Sequence, residues 1–313
     1  MLQQNKISVR HTKICMDTVV TIHVIARQKP KKIEEKIVRA FGVFRYVEAV
    51  CGRFTPESEV MRLSQQIGHP VEVSPVLFEA LKSTLEAAKA TNGAFDPTVG
   101  RLLEMESFQQ SDSIDDASLA ESHRNTRVSF LDIELNLKNR SVLLLKPLVL
   151  DLGAVIKGLA IDLAAKELVG CESFYINAGG DIFTHGLNEN EEPWLVDIEH
   201  PMDPNKLIGT LHLSDGAVCT SGLSKRRRDA LEQVSPIVDP KTGETPHSLL
   251  STTVVAPSAM QADTFATAAF ILGPKKGLQL LNSAKLDGIL ITRDFTIRST
   301  KGIGTYQFSP LQP

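Results

Sequence analysis

A chain of 313 residues is longer than a single hydrophobic core usually organises, so one large domain with two lobes, or two intimately joined domains, is expected. The 42% hydrophobic content is ordinary for a soluble globular protein, and 34 Lys and Arg against 37 Asp and Glu, a formal charge of -3, give no reason to propose nucleic acid as a partner. Residues 1–14 hold Gln3, Gln4, Asn5, Lys6, Arg10, His11 and Lys13 where a leader would be apolar, and no run is long enough to span a bilayer, so neither an exported chain nor stable membrane insertion is expected.

In chain order, residues 14–25 alternate as a strand does, and Lys32 to Cys51 shows helical periodicity through Ile33, Ile37, Phe41, Phe44 and Val47. Ser74-Pro75 opens a helix that runs to Thr91 and is closed by Asn92-Gly93. Residues 107–126, rich in Ser, Asp and Gln, predict a polar surface excursion. Val142 to Leu150 reads as a buried strand broken only at Lys146-Pro147, followed by a glycine turn at Asp151-Leu-Gly and an Ala/Leu-rich helix ending near Gly170. From Arg127 onward strands predominate, interrupted by that helix, by one after Ser258 and by a shorter one over 275–283. Strands and helices that do not alternate regularly favour α+β over a doubly wound sheet.

The run Met260 to Gly273 carries the sharpest chemical signal. Pro257-Ser258 caps its start and Gly273-Pro274 ends it, so Asp263 and Thr267, four residues apart, stack on one helix face. A carboxylate and a hydroxyl suit Mg2+, which prefers oxygen and completes its shell with water and substrate phosphates. A solvated helix face has the same pattern, so the pair alone does not decide. The strand, glycine turn and helix around Asp151 make a corner where backbone comes close to a ligand and helical N–H groups attract anions, although an ordinary connection looks similar. Asp96, between Phe95 and Pro97, is either a ligand-facing carboxylate or the cap of its own turn. Lys157 is either a phosphate's charge partner or a solvated helix lysine, and Asp181 either holds a tight strand-end turn or touches substrate. The run Lys225-Arg-Arg-Arg228 reads as a solvated loop before a phosphate-contacting one, since charge runs usually face water. Cys15, Cys51, Cys171 and Cys219 have no paired spacing, which predicts free thiols in a reducing compartment.

Eight segments in order resemble the FAD:protein FMN transferase family, also called the ApbE family. They are Met16-Asp-Thr-Val-Val-Thr-Ile, Arg53-Phe-Thr-Pro-Glu-Ser-Glu, Thr91-Asn-Gly-Ala-Phe-Asp-Pro-Thr-Val-Gly100, Asp151-Leu-Gly, Tyr175-Ile-Asn-Ala-Gly-Gly-Asp181, Cys219-Thr-Ser-Gly222, Ile237-Val-Asp-Pro-Lys-Thr-Gly243 and Thr253 to Thr267. The resemblance implies an α+β, two-lobed, T-fold-like architecture with mixed or antiparallel sheets and packed helices, forming one flavin transferase domain over 1–313. It implies Mg2+-dependent transfer of FMN from FAD to a Ser or Thr hydroxyl in the flavinylation motif of an acceptor protein, with release of AMP. It also implies metal ligands at Asp263, Thr267 and the Ala154 carbonyl, the first two being catalytic, and a FAD site lined by Met16, Phe54, Ala94, Phe95, Asp96, Asp151, Lys157 and Ile237. Many relatives in the family are exported lipoproteins; with no apolar stretch before Cys15, this chain is expected to be cytoplasmic.

One position departs from the family pattern. Where a His commonly precedes Ile-Ile-Asp-Pro, this chain has Ser235-Pro236-Ile237, and proline neither shuttles a proton nor donates a hydrogen bond. Hydrolysis of FAD to FMN and AMP, and FAD binding without catalysis, therefore stand beside transfer as alternatives.

Overall fold

The chain opens with two strands, β1 (Ile7–Cys15) and β2 (Thr18–Ala26), paired in register from Ile7 opposite Ala26 to Cys15 opposite Thr18. This corrects the single strand expected over 14–25. The turn is Met16-Asp17, with φ of 52° and 53°. Two successive left-handed residues make the tight hairpin turn that Asn-Gly usually signals, and Met-Asp carries no such signal. The computed structural model describes residues 6–103, 128–223 and 237–310; the polar excursion expected over 107–126 lies outside them.

Three helices and three short strands follow: α1 (Pro30–Cys51), α2 (Glu59–Ser64), β3 (Val71–Glu72), α3 (Pro75–Ala90), β4 (Ile133–Asn136) and β5 (Ser141–Leu144). Helix α3 starts and stops where the sequence indicates: the Ser74 hydroxyl accepts from Leu77 N–H, and Asn92 and Gly93 both have positive φ. The strand expected to Leu150 stops at Leu144, because the chain bends away at Lys146-Pro147 and proline has no N–H to continue a ladder. Beyond it Leu148 and Leu150 point into a core shared with Leu77, Leu81 and Val142.

The rest of the chain is α4 (Gly153–Glu167), β6 (Ser173–Ala178), β7 (Asp181–His185), β8 (Trp194–His200), β9 (Asp203–Leu213), β10 (Gly216–Gly222) and β11 (Leu249–Ala256). After these come α5 (Ala259–Ser283), β12 (Asp287–Thr292), β13 (Ile297–Ser299) and β14 (Ser309–Pro310). Gly273, with φ 76° and ψ -178°, breaks α5 just before Pro274, so the two expected helices meet there at a kink.

All pairings in the main sheet are antiparallel, in the order β1-β2-β6-β7-β10-β11-β12-β13. One face buries Val20, Ile22 and Ile176 against Ile33 and Phe41 of α1, Ile161 of α4 and Phe270 of α5. The other buries Ile182, Val218 and Val255 against Val196 and Leu211 of the small β14-β9-β8 sheet. Buried side chains on both faces explain why β11 reads as a continuous apolar and threonine run with no alternation. Helices on one side of an antiparallel sheet and a second sheet on the other give an α+β fold. No described helix is long and apolar enough to cross a membrane.

Candidate functional site

Helices α4 and α5 run antiparallel and unusually close. Asp162 of α4 accepts from Ala259 N–H at 2.7 Å and Met260 N–H at 2.9 Å, capping α5 together with the Ser258 hydroxyl. One turn back along α4, a Cβ on Gly158 would stand 2.4 Å from the Ala259 carbonyl oxygen and 2.6 Å from Met260 Cα. Glycine is what lets the two backbones meet. At that crossing Gly158 N–H donates to Asp263 Oδ2 at 3.2 Å. In a regular helix the same N–H would go to the carbonyl four residues back, which is that of Ala154, so the Asp263 carboxylate competes for the partner of that carbonyl.

Charge gathers around this crossing. Strands β6 and β7 are joined by Gly179 and Gly180, with φ of 62° and 99°, and Asp181 follows directly. Its side chain is 2% exposed, accepts from Thr220 N–H of β10 at 3.1 Å and pairs with the Lys157 ammonium of α4. Burial by itself disfavours the charged lysine, but the Asp263 and Asp181 carboxylates together outweigh it and hold Lys157 protonated, above its ordinary range. Asp263 is shifted upward: burial leads, Asp181 adds repulsion, and Lys157 and the Gly158 N–H offset only part. With both ionised, the two buried carboxylates would share one lysine and leave one negative charge over, which is why Asp263 keeps its proton.

One turn beyond Asp263, Thr267 Oγ1 lies 2.8 Å from Ser221 Oγ of β10, both nearly buried. A carboxyl that a cation could neutralise in place of its proton, a hydroxyl on the same helix face and a carbonyl one turn from the crossing form an all-oxygen donor set, which fits a hard divalent cation. Among the described residues no group of three or more His, Cys, Asp or Glu side chains is placed to hold a metal, so a cation here would draw on the hydroxyl, the carbonyl and oxygens from outside the protein as well as on the one carboxylate.

The remaining predicted residues fall into two groups. Phe95 packs with Ala154, Val155 and Ala268, so the Ala94–Asp96 turn, the start of α4 and the middle of α5 share one small core. Ala94 is buried too, and Asp96 has its oxygens occupied: Oδ1 accepts from Thr98 N–H at 2.9 Å and Thr98 Oγ1 at 2.8 Å, Oδ2 from Phe130 N–H at 2.9 Å. Burial makes it a weaker acid than an ordinary aspartate, against the pull of those donors. The capping reading of Asp96 is the one visible in the fold. Asp151 is tied to the same turn through its N–H to the Pro97 carbonyl, and its Oδ1 accepts from Gly153 N–H at 2.9 Å, taking the first donor of α4. Its Oδ2 pairs at 2.6 Å with Arg53 Nε, whose guanidinium lies 4.3 Å from the centre of the Phe54 ring. Phe54 is 81% exposed, a large apolar face turned to solvent. Met16 and Ile237 are half-buried against the main core. Since Val20 pairs with Ala178 and Gly179 N–H bonds to the Val19 carbonyl, the Met16 hairpin turn lies at the same sheet end as Asp181.

Sequence reasoning missed Arg53 as the partner of Asp151, Ser221 as the partner of Thr267, and Asp162 as the cap of α5. Each is a contact between segments distant in sequence, although all three residues stand inside segments already singled out. Pro236 and the basic run at 225–228 lie outside the described residues.

Comparison with known proteins bears on this arrangement. Residues 16–290 match the ApbE family. The FAD:protein FMN transferase of Klebsiella pneumoniae is 30% identical over 251 residues, 76% of this chain and 71% of that protein. Two solved structures, the ApbE protein of Thermotoga maritima and the flavin transferase ApbE of Vibrio cholerae, are each 25% identical with a TM-score of 0.82. Each covers 96% of this chain, and 99% and 100% of their own chains are matched.

Proposed function

The chain belongs to the ApbE family, and on that footing we propose that it is a FAD:protein FMN transferase, moving FMN from FAD to a Ser or Thr hydroxyl of an acceptor protein and releasing AMP, with Mg2+ as cofactor. The observation that carries this reading is the buried cluster at the crossing of α4 and α5, where Asp263 and Asp181 share Lys157 and the Thr267 hydroxyl stands one turn beyond Asp263. Asp263, Thr267 and the Ala154 carbonyl would hold the metal. When bound it supplies Lewis-acid polarisation and charge neutralisation at the pyrophosphate.

The reaction forms a bond between the acceptor oxygen and the FMN phosphorus and breaks the bond from that phosphorus to the bridging oxygen, which leaves on AMP; the acceptor hydroxyl gives up its proton. Charge spreads over the phosphate oxygens as this happens, so the protein's work is positioning and neutralisation. Lys157 suits that work because Asp181 anchors it and it stays cationic at working pH. Phe54, backed by the Arg53–Asp151 pair, offers a fixed apolar surface for a flat ring of FAD. Ala94, Phe95 and Asp96 build the wall behind the metal ligands, and Met16 and Ile237 edge the site. We take residues 1–313 as one flavin transferase domain. The four cysteines, all free and buried, suit the reducing cytoplasm proposed as its location.

The test is release of AMP from FAD, followed with and without Mg2+. Release that depends on Mg2+ in the unmodified protein and drops by at least a hundredfold in Asp263→Ala supports the reading. Full activity of Asp263→Ala with unchanged metal dependence contradicts it.

A further inference from the structure

Threonines in the helices of this protein have a common habit. Thr84 donates to the Ala80 carbonyl at 2.6 Å, Thr91, at the end of α3, to that of Ala87 at 2.9 Å, and Thr264 to that of Met260 at 2.7 Å. This bond to the carbonyl four residues back is the usual resting place of a helical hydroxyl. Thr267, on the same helix as Thr264, shares its bond with Ser221 across on β10 instead.

Ser221 sits on a rigid platform. It stands opposite Thr252 in the β10–β11 ladder, and its neighbour Gly222 is so tightly placed that a Cβ would lie 2.7 Å from the Leu250 carbonyl oxygen. A hydroxyl has one proton and two lone pairs. If Thr267 gives its proton to Ser221, its lone pairs are left to face the cation; if it gave that proton to the carbonyl of its own helix, the oxygen would be turned back along the helix.

Resting on the metal reading above, we propose that Ser221 is a positioning residue for the metal site, accepting the Thr267 proton so that the Thr267 oxygen is directed to a divalent cation. Ser221 touches neither metal nor substrate in this role; it acts through Thr267. A buried hydroxyl pair that merely satisfies itself would affect stability alone, whereas this arrangement affects metal affinity.

The experiment is binding of Mn2+, an oxygen-seeking probe of the same site, to the full-length protein, read as loss of the paramagnetic resonance signal of the free ion, with melting curves taken without metal. Supporting groups behind a metal ligand typically govern about 10- to 100-fold in metal affinity. Ser221→Ala should weaken Mn2+ binding about tenfold at an unchanged melting temperature, and the Ser221→Ala/Thr267→Ala double variant should bind no more weakly than Thr267→Ala. Wild-type affinity in Ser221→Ala, or losses that add in the double variant, overturns the proposal. Asp263→Ala serves as the control: wild-type Mn2+ binding there overturns the metal site itself, and so the reading beneath the proposal, whereas its loss beside an unaffected Ser221→Ala overturns the role of Ser221 alone.

Discussion

Asp263 gains its character from what surrounds it: burial, the nearby Asp181 carboxylate, and a lysine that has two acids to serve. In the metal-free protein its proton is held up from the ordinary value of 3.8 to about 7. Over that interval the folded chain keeps a proton that the unfolded chain has already released, so Asp263 lowers stability as pH rises through it. Denaturation midpoints at stepped pH should therefore fall more steeply between pH 4 and 7 in the metal-free wild type than in Asp263→Asn, where the group cannot titrate. Equal slopes would mean that the carboxylate is not held in this state. Thr267→Ala should impair Mg2+-dependent turnover less than Asp263→Ala does, because water can stand in for a neutral hydroxyl but not for a charge; apparent Mg2+ constants for the two variants check this. The spacing of Asp263 and Thr267 was legible because helical periodicity fixes which side chains share a face. The partners of Lys157 and Thr267 were not, since Asp181 and Ser221 come from strands whose pairing no local pattern records.

At the level of elements, the site exists because α4 and α5 touch, and Gly158 and Asp162 are where they do. Gly158→Ala would set a methyl group against the Ala259 and Met260 backbone and force the helices apart. Overpacking of that kind costs about 1–3 kcal/mol, so urea denaturation should show a loss in that range together with loss of metal-dependent turnover. A variant of wild-type stability and activity would show that the crossing is looser than described. Asp162→Ala removes the carboxylate that accepts from the first two N–H groups of α5 and should cost about 1 kcal/mol, measurable by the same method. Elements bounded by strong local chemistry could be read in advance: Ser74-Pro75 and Asn92-Gly93 for α3, Ser258 and Gly273-Pro274 for the first part of α5. Where the sequence misled, the local signal was absent or overruled. Met16-Asp17 adopts a turn that Met does not advertise, and the apolar run to Leu150 is buried by a core rather than a sheet.

For the whole molecule, the three layers bring the α4–α5 crossing, the Asp181 turn and the Ser221 end of β10 to one end of the main sheet. Both halves of FAD should contribute to binding. Calorimetric titration should accordingly give FAD at least about tenfold tighter binding than FMN, a difference of only about 1.4 kcal/mol; equal affinities would mean that the adenylate half makes no contact. The fold class was legible from irregular strand and helix order, while the eight-strand arrangement, with β2 beside β6 and β7 beside β10, depends on long-range pairing that a sequence pattern does not specify. The central claim, transfer to protein, meets its most direct test in the intact mass of an acceptor carrying a Ser/Thr flavinylation motif, after incubation with the protein, FAD and Mg2+. The account predicts that the acceptor gains one FMN, joined through its phosphate with loss of water, as one AMP appears for each acceptor modified. AMP appearing with free FMN and an acceptor of unchanged mass would contradict it.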